Sequence, residues 1–183
     1  MLTARSIGLR AVHRQDVEAM HAEFDTDPDL HSVADISPWL PIAVERRLAD
    51  FDRSSRDPAE PKAVEFAVQR LDDPAGAAIG AATVWGINEH QRTAHFGLTL
   101  FRDQRRKGLG RDVLHAMCRY AFEVRDLHRV QLETLSSNVA MQRAALAAGF
   151  AEEGRLRESS FVMGARQDDV IYGLLAARWR ARA

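Results

Sequence analysis

The chain has 183 residues, of which 46% are hydrophobic and 28% charged, and its formal net charge is −1 at pH 7. This composition is typical of a soluble globular protein, and we predict a single domain over residues 1–183. A near-neutral chain has no general attraction to nucleic acid or membranes, and the longest apolar stretch, residues 75–87, is too short to span a bilayer.

The cysteine and histidine content indicates which disulfides, metal sites and cellular location to expect. Cys118 is the single cysteine, so an internal disulfide is excluded, and its position within an apolar helical pattern predicts a buried free thiol. One cysteine and seven histidines without metal-ligand spacing predict no metal site. The first residues lack the apolar core of a signal peptide, and we expect a cytoplasmic location.

Alternating apolar and polar residues predict the strands. The predicted order is a strand, helices, three antiparallel strands, a helix, a strand, a helix and a terminal hairpin. The predicted strands cover residues 63–68, 77–85, 93–101 and 129–135, with a turn at 88–90 between the second and the third. This order predicts a mixed α/β sheet rather than a doubly wound one.

Two helices have clear limits in the sequence. Residues 108–124 carry apolar side chains at helical spacing, as in a helix packed on a sheet. Residues 139–148 are rich in alanine and end at Gly149, a suitable left-handed cap. Patches rich in Pro, Asp and Ser predict loops at residues 25–28, 53–61 and 72–76.

The most informative segment joins the strand that ends at Phe101 to the helix that starts at Gly108. Backbone N–H groups and the helix dipole at such a junction favour a bound anion, so this loop predicts a phosphate or pyrophosphate site. The alternative is a solvated surface turn. Between residues 101 and 111 one acidic residue, Asp103, stands against five basic ones, Arg102, Arg105, Arg106, Lys107 and Arg111.

Three phosphate-binding motifs compete for this loop. A Walker loop needs Lys-Ser or Lys-Thr after a glycine, and a dinucleotide fingerprint would need its third glycine at Val113. The remaining pattern is Arg105-x-x-Gly108-x-Gly110 between a strand and a helix. It resembles the pyrophosphate loop of the GNAT superfamily of N-acetyltransferases.

The resemblance extends over nearly the whole chain. Residues 7–10, followed by Asp16, resemble the family's opening strand and first helix, and residues 94–97 resemble its central strand. Other features resemble the RimJ/RimL-like branch, which acetylates ribosomal-protein N-termini. These features are Asn138, residues 147–150, residues 153–157 and the tail 164–175.

This resemblance implies a GNAT fold, in which a mixed, largely antiparallel sheet with splayed middle strands is flanked by helices. It also implies an N-acetyltransferase that moves an acetyl group directly from acetyl-CoA to a primary amine of a protein N-terminus or a small molecule. The alternative is a non-catalytic acyl-CoA-binding sensor or scaffold of the same fold. A homodimer is compatible with both interpretations.

The resemblance also implies how acetyl-CoA is held. The loop would bind the diphosphate, where glycine lets the backbone approach the phosphates closely. The backbone of the central strand would polarise the thioester carbonyl and accept the pantetheine arm. An asparagine before the second helix would touch that arm and also suits the helix N-cap. The predicted cofactor-binding residues are Thr99, Leu100, Phe101, Arg105, Arg106, Lys107, Gly108, Leu109, Gly110, Arg111 and Asn138.

The candidate base is His95. Many relatives have a glutamate two residues before the central-strand glycine, and His95 stands at that position here. Imidazole has an ordinary pKa of about 6.5, which suits proton transfer near neutral pH. The alternative is a strand residue that is hydrogen-bonded to a neighbour. Weaker candidates are Glu89, His90 and Glu133.

The resemblance also suggests candidates for the general acid and for the acceptor pocket. The serine that relatives often place three residues after the asparagine is Met141 here. Ser137 or Ser136 would then protonate the leaving thiolate, unless the thiolate leaves unassisted. Trp39 lies in the region that lines the acceptor cleft in such enzymes, and it is a candidate pocket residue, with plain packing as the alternative.

Overall fold

A computed structural model describes residues 1–35, 37–54 and 63–182, and its central feature is an eight-stranded sheet. The strands are β1 (Leu2–Ala4), β2 (Ile7–Ala11), β3 (Ala63–Arg70), β4 (Ala78–Asn88), β5 (Thr93–Leu100), β6 (Arg129–Leu135), β7 (Ala151–Val162) and β8 (Ala165–Leu175). They lie in the order β1-β2-β3-β4-β5-β6-β8-β7. Neighbouring strands are antiparallel except for β5 and β6, which are parallel.

The described ranges contain six α-helices: α1 (Arg14–Met20), α2 (Pro28–Ala34), α3 (Val44–Ser54), α4 (Leu109–Arg119), α5 (Val139–Ala148) and α6 (Ala176–Arg180). Wide π-type turns extend α1 through residue 25 and α4 through residue 124. A short 3-10 turn, Arg102–Gln104, follows β5. None of the helices in the described part of the chain has the length and apolarity needed to cross a bilayer.

A buried ion pair joins β2 to α1. The Asp16 side chain is almost fully buried, and its carboxylate accepts hydrogen bonds from the Arg10 guanidinium at 2.6 and 2.9 Å. Burial alone would raise the pKa of Asp16, but hydrogen bonds from Arg10 and from the His13 backbone hold it below its ordinary value. The same guanidinium donates to Gln69 of β3 and to the carbonyl of Gly76. This corner therefore ties together the first strands and the first helix.

The parallel contact between β5 and β6 is short. It consists of three residue pairs, of which the last joins His95 and Gln131. Beyond this pair β5 continues beside β4 as far as Leu100, and β6 continues beside β8 as far as Leu135. The middle of the sheet therefore opens after residue 95, as expected for splayed central strands.

The two faces of the sheet differ because side chains alternate along each strand. On one face Val84 and Phe96 belong to the buried core, together with the apolar side of α4. On the other face Glu65, Thr83 and Gly97 are paired across β3, β4 and β5. That second face lies toward α1 and α3, and it is where the sheet borders a large cavity.

The predicted elements agree with the structure apart from their ends. The helix predicted from residue 108 begins at Leu109, because Gly108 is its N-cap, with a φ of 78°. The strand predicted over residues 77–85 runs to Asn88 past an irregularity after Trp85, so the turn lies at residues 89–92.

The predicted loops agree in part. Residues 72–76 form a turn region as expected, whereas residue 25 ends a π-type turn and residue 28 starts α2. Of the loop predicted at residues 53–61, the first two residues end α3, and residues 55–61 lie outside the described residues.

Candidate active site

A cavity of about 1000 Å³ lies between the splayed strands and the first three helices. Residues 96–99 of β5 and residues 133–135 of β6 border it on the side of the sheet. Met20, Leu30 and Phe51 are among the residues that close it on the side of the helices. The opening of the sheet thus leads into a chamber of the size that binds small ligands.

The backbone of β5 is held on one edge and open on the other. Gly97 and Thr99 are paired with β4, and Thr99 also lines the cavity. Among the described residues, the edge toward β6 has no ladder partner beyond His95. Backbone groups on such an edge can pair with an extended ligand as a further strand would.

Two of the predicted cofactor-binding residues, Leu100 and Phe101, lie at the end of β5 and pair with β4. Leu100 pairs with Gly80 of β4, and the backbone N–H of Phe101 donates to the carbonyl of Ile79 at 2.9 Å. The Phe101 ring contacts Phe24 edge-on, with 5.5 Å between ring centroids. The N–H of Phe101 is therefore engaged within the fold.

The loop after β5 contains a guanidinium with an unused donor. Arg105 donates from Nε to the carbonyl of Leu100 at 2.9 Å, which anchors the side chain at the strand end. Its Nη2 atom is buried and has no hydrogen-bond partner among the described residues. Because an unpaired buried donor costs about 1–3 kcal/mol, this atom is available to an acceptor that binds at the loop.

The other basic side chains of the loop differ in the ion pairs and hydrogen bonds that they form within the protein. Arg102 forms an ion pair with Asp27 of α2. Lys107 and Arg111 make only long contacts of 3.4 Å, to Gln104 and Asp112 respectively. The side chain of Arg106 forms no hydrogen bond or ion pair with any described residue, and its φ is 60°. Three cationic groups are therefore available beside the start of α4.

Helix α4 begins without a side-chain cap. Its N-cap, Gly108, has a left-handed φ, and a Cβ built there would meet no described atom within 4 Å. The N–H groups of the first turn, which starts at Leu109, carry the positive end of the helix dipole. This open N-terminus, with the unused donor of Arg105 nearby in sequence, fits a diphosphate.

Gly110 has a packing role of its own. A Cβ at this position would lie 3.4 Å from the Cβ of Ala144 in α5 and 3.9 Å from Leu98 Cδ2. A larger side chain would press on α5, so the small residue lets α4 and α5 pack closely. The sequence predicted that the backbone at both glycines approaches a ligand closely. The open space at Gly108 agrees with that role.

The junction between β6 and α5 places two predicted residues. Asn138 is the N-cap of α5, and its Oδ1 accepts a hydrogen bond from the Met141 backbone at 3.2 Å, as predicted. That bond leaves the side-chain amide donors of Asn138 available. The exposed Ser137 hydroxyl donates to Gln167 of β8 at 2.6 Å.

His95 and Glu133 form a pair beside the cavity. Nδ1 of His95 lies 3.2 Å from Oε1 of Glu133, and Gln131 donates to the same oxygen at 2.6 Å. The imidazole stacks on the Trp85 ring, with 4.4 Å between centroids. Glu133 and Trp85 line the cavity, whereas His95 does not. The structure thus joins the candidate base to one of the weaker candidates.

The other weaker candidates lie elsewhere. Glu89 and His90 belong to the turn between β4 and β5, and Glu89 is paired with Arg125 at 2.5 Å. Neither of them lines the cavity.

Carboxylates dominate the cavity wall. Among the described residues that line it, Arg47 is the one arginine or lysine, and its guanidinium pairs with Asp25 at 2.5 Å. Desolvation by the surrounding protein raises the pKa of Glu65, and Arg47 opposes this effect. The lining carboxylates are Asp25, Asp35, Asp50, Glu65, Glu133 and Asp169. This excess of negative charge favours a cationic ligand.

Two further predictions concern residues outside the cavity wall. Trp39 is half-buried and donates from its indole N–H to the carbonyl of Asp25 at 2.7 Å, so it supports the wall from behind. Cys118 is a free thiol and fully buried, as predicted, and burial raises the pKa of its thiol. Within the described ranges, no cluster of His, Cys, Asp or Glu side chains is suited to a metal ion.

Comparison with known proteins decides the family. The sequence profile of the acetyltransferase (GNAT) domain matches residues 6–151, which is most of the chain. This chain belongs to the GNAT acetyltransferase family. It is an N-acetyltransferase, with acetyl-CoA as its cosubstrate, and the predicted fold is confirmed.

Individual relatives within the family differ in their acceptors. The chain is 26% identical to the spermidine N(1)-acetyltransferase of Vibrio cholerae over 175 residues, which cover 96% of both proteins. It is 28% identical to a putative ribosomal N-acetyltransferase of Bacillus subtilis over 57% of both. The crystal structure of the Vibrio cholerae spermidine N-acetyltransferase with CoA and spermine has the same fold, with a TM-score of 0.82 at 23% identity over 95% of this chain and 98% of that one.

Sequence reasoning located the loop and the central strand but missed most of the cavity wall. Asp50, Glu65 and Asp169 come from α3, β3 and β8, and no local motif connects them. One signal was present, because Glu65 interrupts an otherwise apolar strand between Val64 and Phe66.

Proposed function

We propose that this protein acetylates a primary amine of a small acceptor that carries more than one positive charge. The observation that carries the proposal is the cavity at the splayed strands, where six carboxylates face a single arginine among the described lining residues. An ammonium group gains from such a wall, and a second ammonium gains again at carboxylates farther from the strands. The similarity to a spermidine acetyltransferase supports an acceptor of this class.

The acetyl donor would lie along β5 with its diphosphate at the loop. Acetyl-CoA supplies the activated acetyl group as a thioester. The N–H groups at the start of α4 and the unused donor of Arg105 would hold the phosphates, with Arg106 and Lys107 beside them. The open edge of β5 near Thr99 and the free amide of Asn138 would hold the pantetheine arm.

Proton removal from the acceptor would use the pair of Glu133 and His95. A lysine-like amine has a pKa of about 10.4, so it enters the cavity as an ammonium ion. Glu133 lines the cavity and can accept a proton, and Nδ1 of His95 lies within 3.2 Å of its Oε1. The imidazole would then take up the proton away from the acceptor. Ser137, which donates to Gln167, stays a weak prediction for the acid that protonates the thiolate.

A protein N-terminus is the second candidate acceptor. Asn138, the segment that ends at Phe150 and the similarity to a putative ribosomal N-acetyltransferase favour it. An α-amino group has a pKa of about 7.7–8.0 and needs only a modest base. Membership of the branch that modifies ribosomal proteins, a homodimer and a cytoplasmic location stay predictions.

Release of free thiol from acetyl-CoA, measured with a panel of amines, tests the proposal. The panel contains a monoamine, diamines of increasing length, a triamine and a peptide with a free N-terminus. We expect the di- and triamines to give the highest kcat/KM. Preference for the peptide would move the assignment to the second candidate. Binding of acetyl-CoA without thiol release for any amine would favour the non-catalytic sensor.

A further inference from the structure

A second cavity, of about 510 Å³, lies between the segment that joins β1 to β2, the start of α4, the end of α5 and α6. Three arginines are among the residues that line it: Arg5, Arg111 and Arg182. His115 and Trp179 complete another part of the wall, with 5.9 Å between their ring centroids. Several arginines in one cavity beside aromatic side chains suit a phosphate group attached to an organic ring.

The positive charge of this cavity is only partly neutralised. Asp112 is its one carboxylate among the described lining residues, and that side chain accepts a hydrogen bond from the Ser6 hydroxyl at 2.7 Å. Arg111 reaches the other oxygen of Asp112 at 3.4 Å. The guanidinium groups of Arg5 and Arg182 form no ion pair or hydrogen bond with the described part of the chain. Two cations are therefore free to bind an anion.

The second cavity adjoins the loop to which we assign the diphosphate. Arg111 belongs to both, since it ends the basic loop and lines the cavity. Arg111 and His115 are four residues apart on α4, so their side chains are neighbours about 6 Å apart along the helix axis. In CoA one ribose separates the diphosphate from the 3′-phosphate. A ligand that places its diphosphate at the loop can therefore extend its second phosphate group into the cavity.

We propose that the second cavity binds a phosphate monoester, and that Arg5 and Arg182 make the protein select CoA over the analogue that lacks the 3′-phosphate. The proposal rests on the diphosphate position given under the proposed function. Free inorganic phosphate has the same chemistry, and it is the other source of such a group. Neither arginine belongs to the loop motif, and each comes from an opposite end of the chain.

Calorimetric titration with CoA and with dephospho-CoA tests the proposal. We expect the wild-type protein to bind CoA at least tenfold more tightly than dephospho-CoA. The double variant Arg5→Gln/Arg182→Gln should bind both with the affinity that the wild type has for dephospho-CoA. Arg178→Gln is the matched control, because Arg178 is an exposed arginine of α6, four residues before Arg182, that does not line the cavity.

The outcomes separate the sources of the phosphate. A double variant that keeps the preference for CoA but loses binding of inorganic phosphate would assign the cavity to a free anion. An unchanged preference without phosphate binding by any protein would overturn the proposal. If the wild type bound neither CoA nor dephospho-CoA, the proposed function would fail first. Thermal unfolding of each variant establishes that the fold is intact.

Discussion

The polar side chains of the site differ in how many hydrogen bonds the folded protein already satisfies. Arg105 has a buried donor that no described residue accepts from, whereas Arg102 forms an ion pair with Asp27. Asn138 uses its oxygen to cap α5 and keeps its amide donors. A donor that is unsatisfied in the folded protein gains most from a ligand, so Arg105 should contribute more to binding than the other arginines of the loop.

Replacement of Arg105 by glutamine should weaken CoA binding about 10- to 150-fold, which corresponds to about 1.5–3 kcal/mol for a hydrogen bond to a charged group. Binding of acetyl-pantetheine, which lacks the diphosphate, should change little. Isothermal titration with both ligands measures the difference. Arg102→Gln is the control, and it should leave both affinities nearly unchanged. An equal loss for both ligands in Arg105→Gln would show that the loop does not hold the phosphates.

His95→Ala should lower kcat about 100-fold or more while the affinity for acetyl-CoA stays close to that of the wild type. The imidazole contacts Glu133 and Trp85 rather than the loop, so cofactor binding does not depend on it. Higher pH should partly restore the rate, because more of the amine is then deprotonated. Normal turnover by the variant over the whole pH range would make His95 a structural residue.

At the scale of elements, α4 combines an open N-terminus with close packing. Its first turn carries backbone donors that no side chain caps, and its second residue, Gly110, lies against Ala144 of α5. The two glycines of the loop motif therefore have different structural roles. Gly108 supplies the left-handed turn and open space, and Gly110 supplies the close contact between helices.

Valine at the two glycines should separate these roles. Gly110→Val should lower Tm, because overpacking costs about 1–3 kcal/mol and each kcal/mol shifts Tm by about 2–4 °C at this chain length. Gly108→Val should abolish CoA binding, since its side chain occupies the space above the helix N-terminus. Differential scanning fluorimetry with and without CoA reports both effects.

Gly108→Asn is the control for strain, because asparagine tolerates a left-handed φ better than valine does. It should leave Tm nearly unchanged and still weaken CoA binding. Unchanged CoA affinity in a folded Gly108→Val protein would refute the assigned role of this glycine.

At the scale of the whole molecule, the proposed acceptor site depends on charges that only the assembled fold brings together. The lining carboxylates come from the residue after α2, from α3, from the strands β3, β6 and β8, and from the turn after α1. Salt weakens their combined electrostatic attraction, because the screening length is about 10 Å at an ionic strength of 0.1 M. The KM for a polycationic acceptor should therefore rise with ionic strength more steeply than the KM for a monoamine.

Glu65→Gln should raise the KM for a diamine and leave the affinity for acetyl-CoA unchanged. Desolvation raises the pKa of Glu65, so its carboxyl takes up a proton at a higher pH than an ordinary glutamate as the solution is acidified. The wild-type KM should thus rise as pH falls toward that raised pKa, and the variant should lack this component. Steady-state kinetics over pH measures it. Glu18→Gln, which changes an exposed glutamate of α1 outside the cavity, is the control, and an identical response in both variants would exclude a role for Glu65.

The sequence by itself determined the features that depend on neighbouring residues. The basic loop, its glycines and the flanking strand and helix follow one another directly, so their backbone conformation and charge are fixed by local chemistry. Asn138 before an alanine-rich helix specified an N-cap in the same way, and the structure confirms it. The alternation of apolar residues also gave the positions of the middle strands along the chain, because one face of each had to be buried.

Only the tertiary structure decided which distant side chains meet. His95 and Glu133 are 38 residues apart, and they become partners because β5 and β6 run parallel for three residue pairs before they separate. That separation, which no local pattern sets, creates the cavity and gathers its carboxylates from elements spread along the chain. Arg5 and Arg182 likewise line one cavity only in the folded protein, because they lie near opposite ends of the sequence.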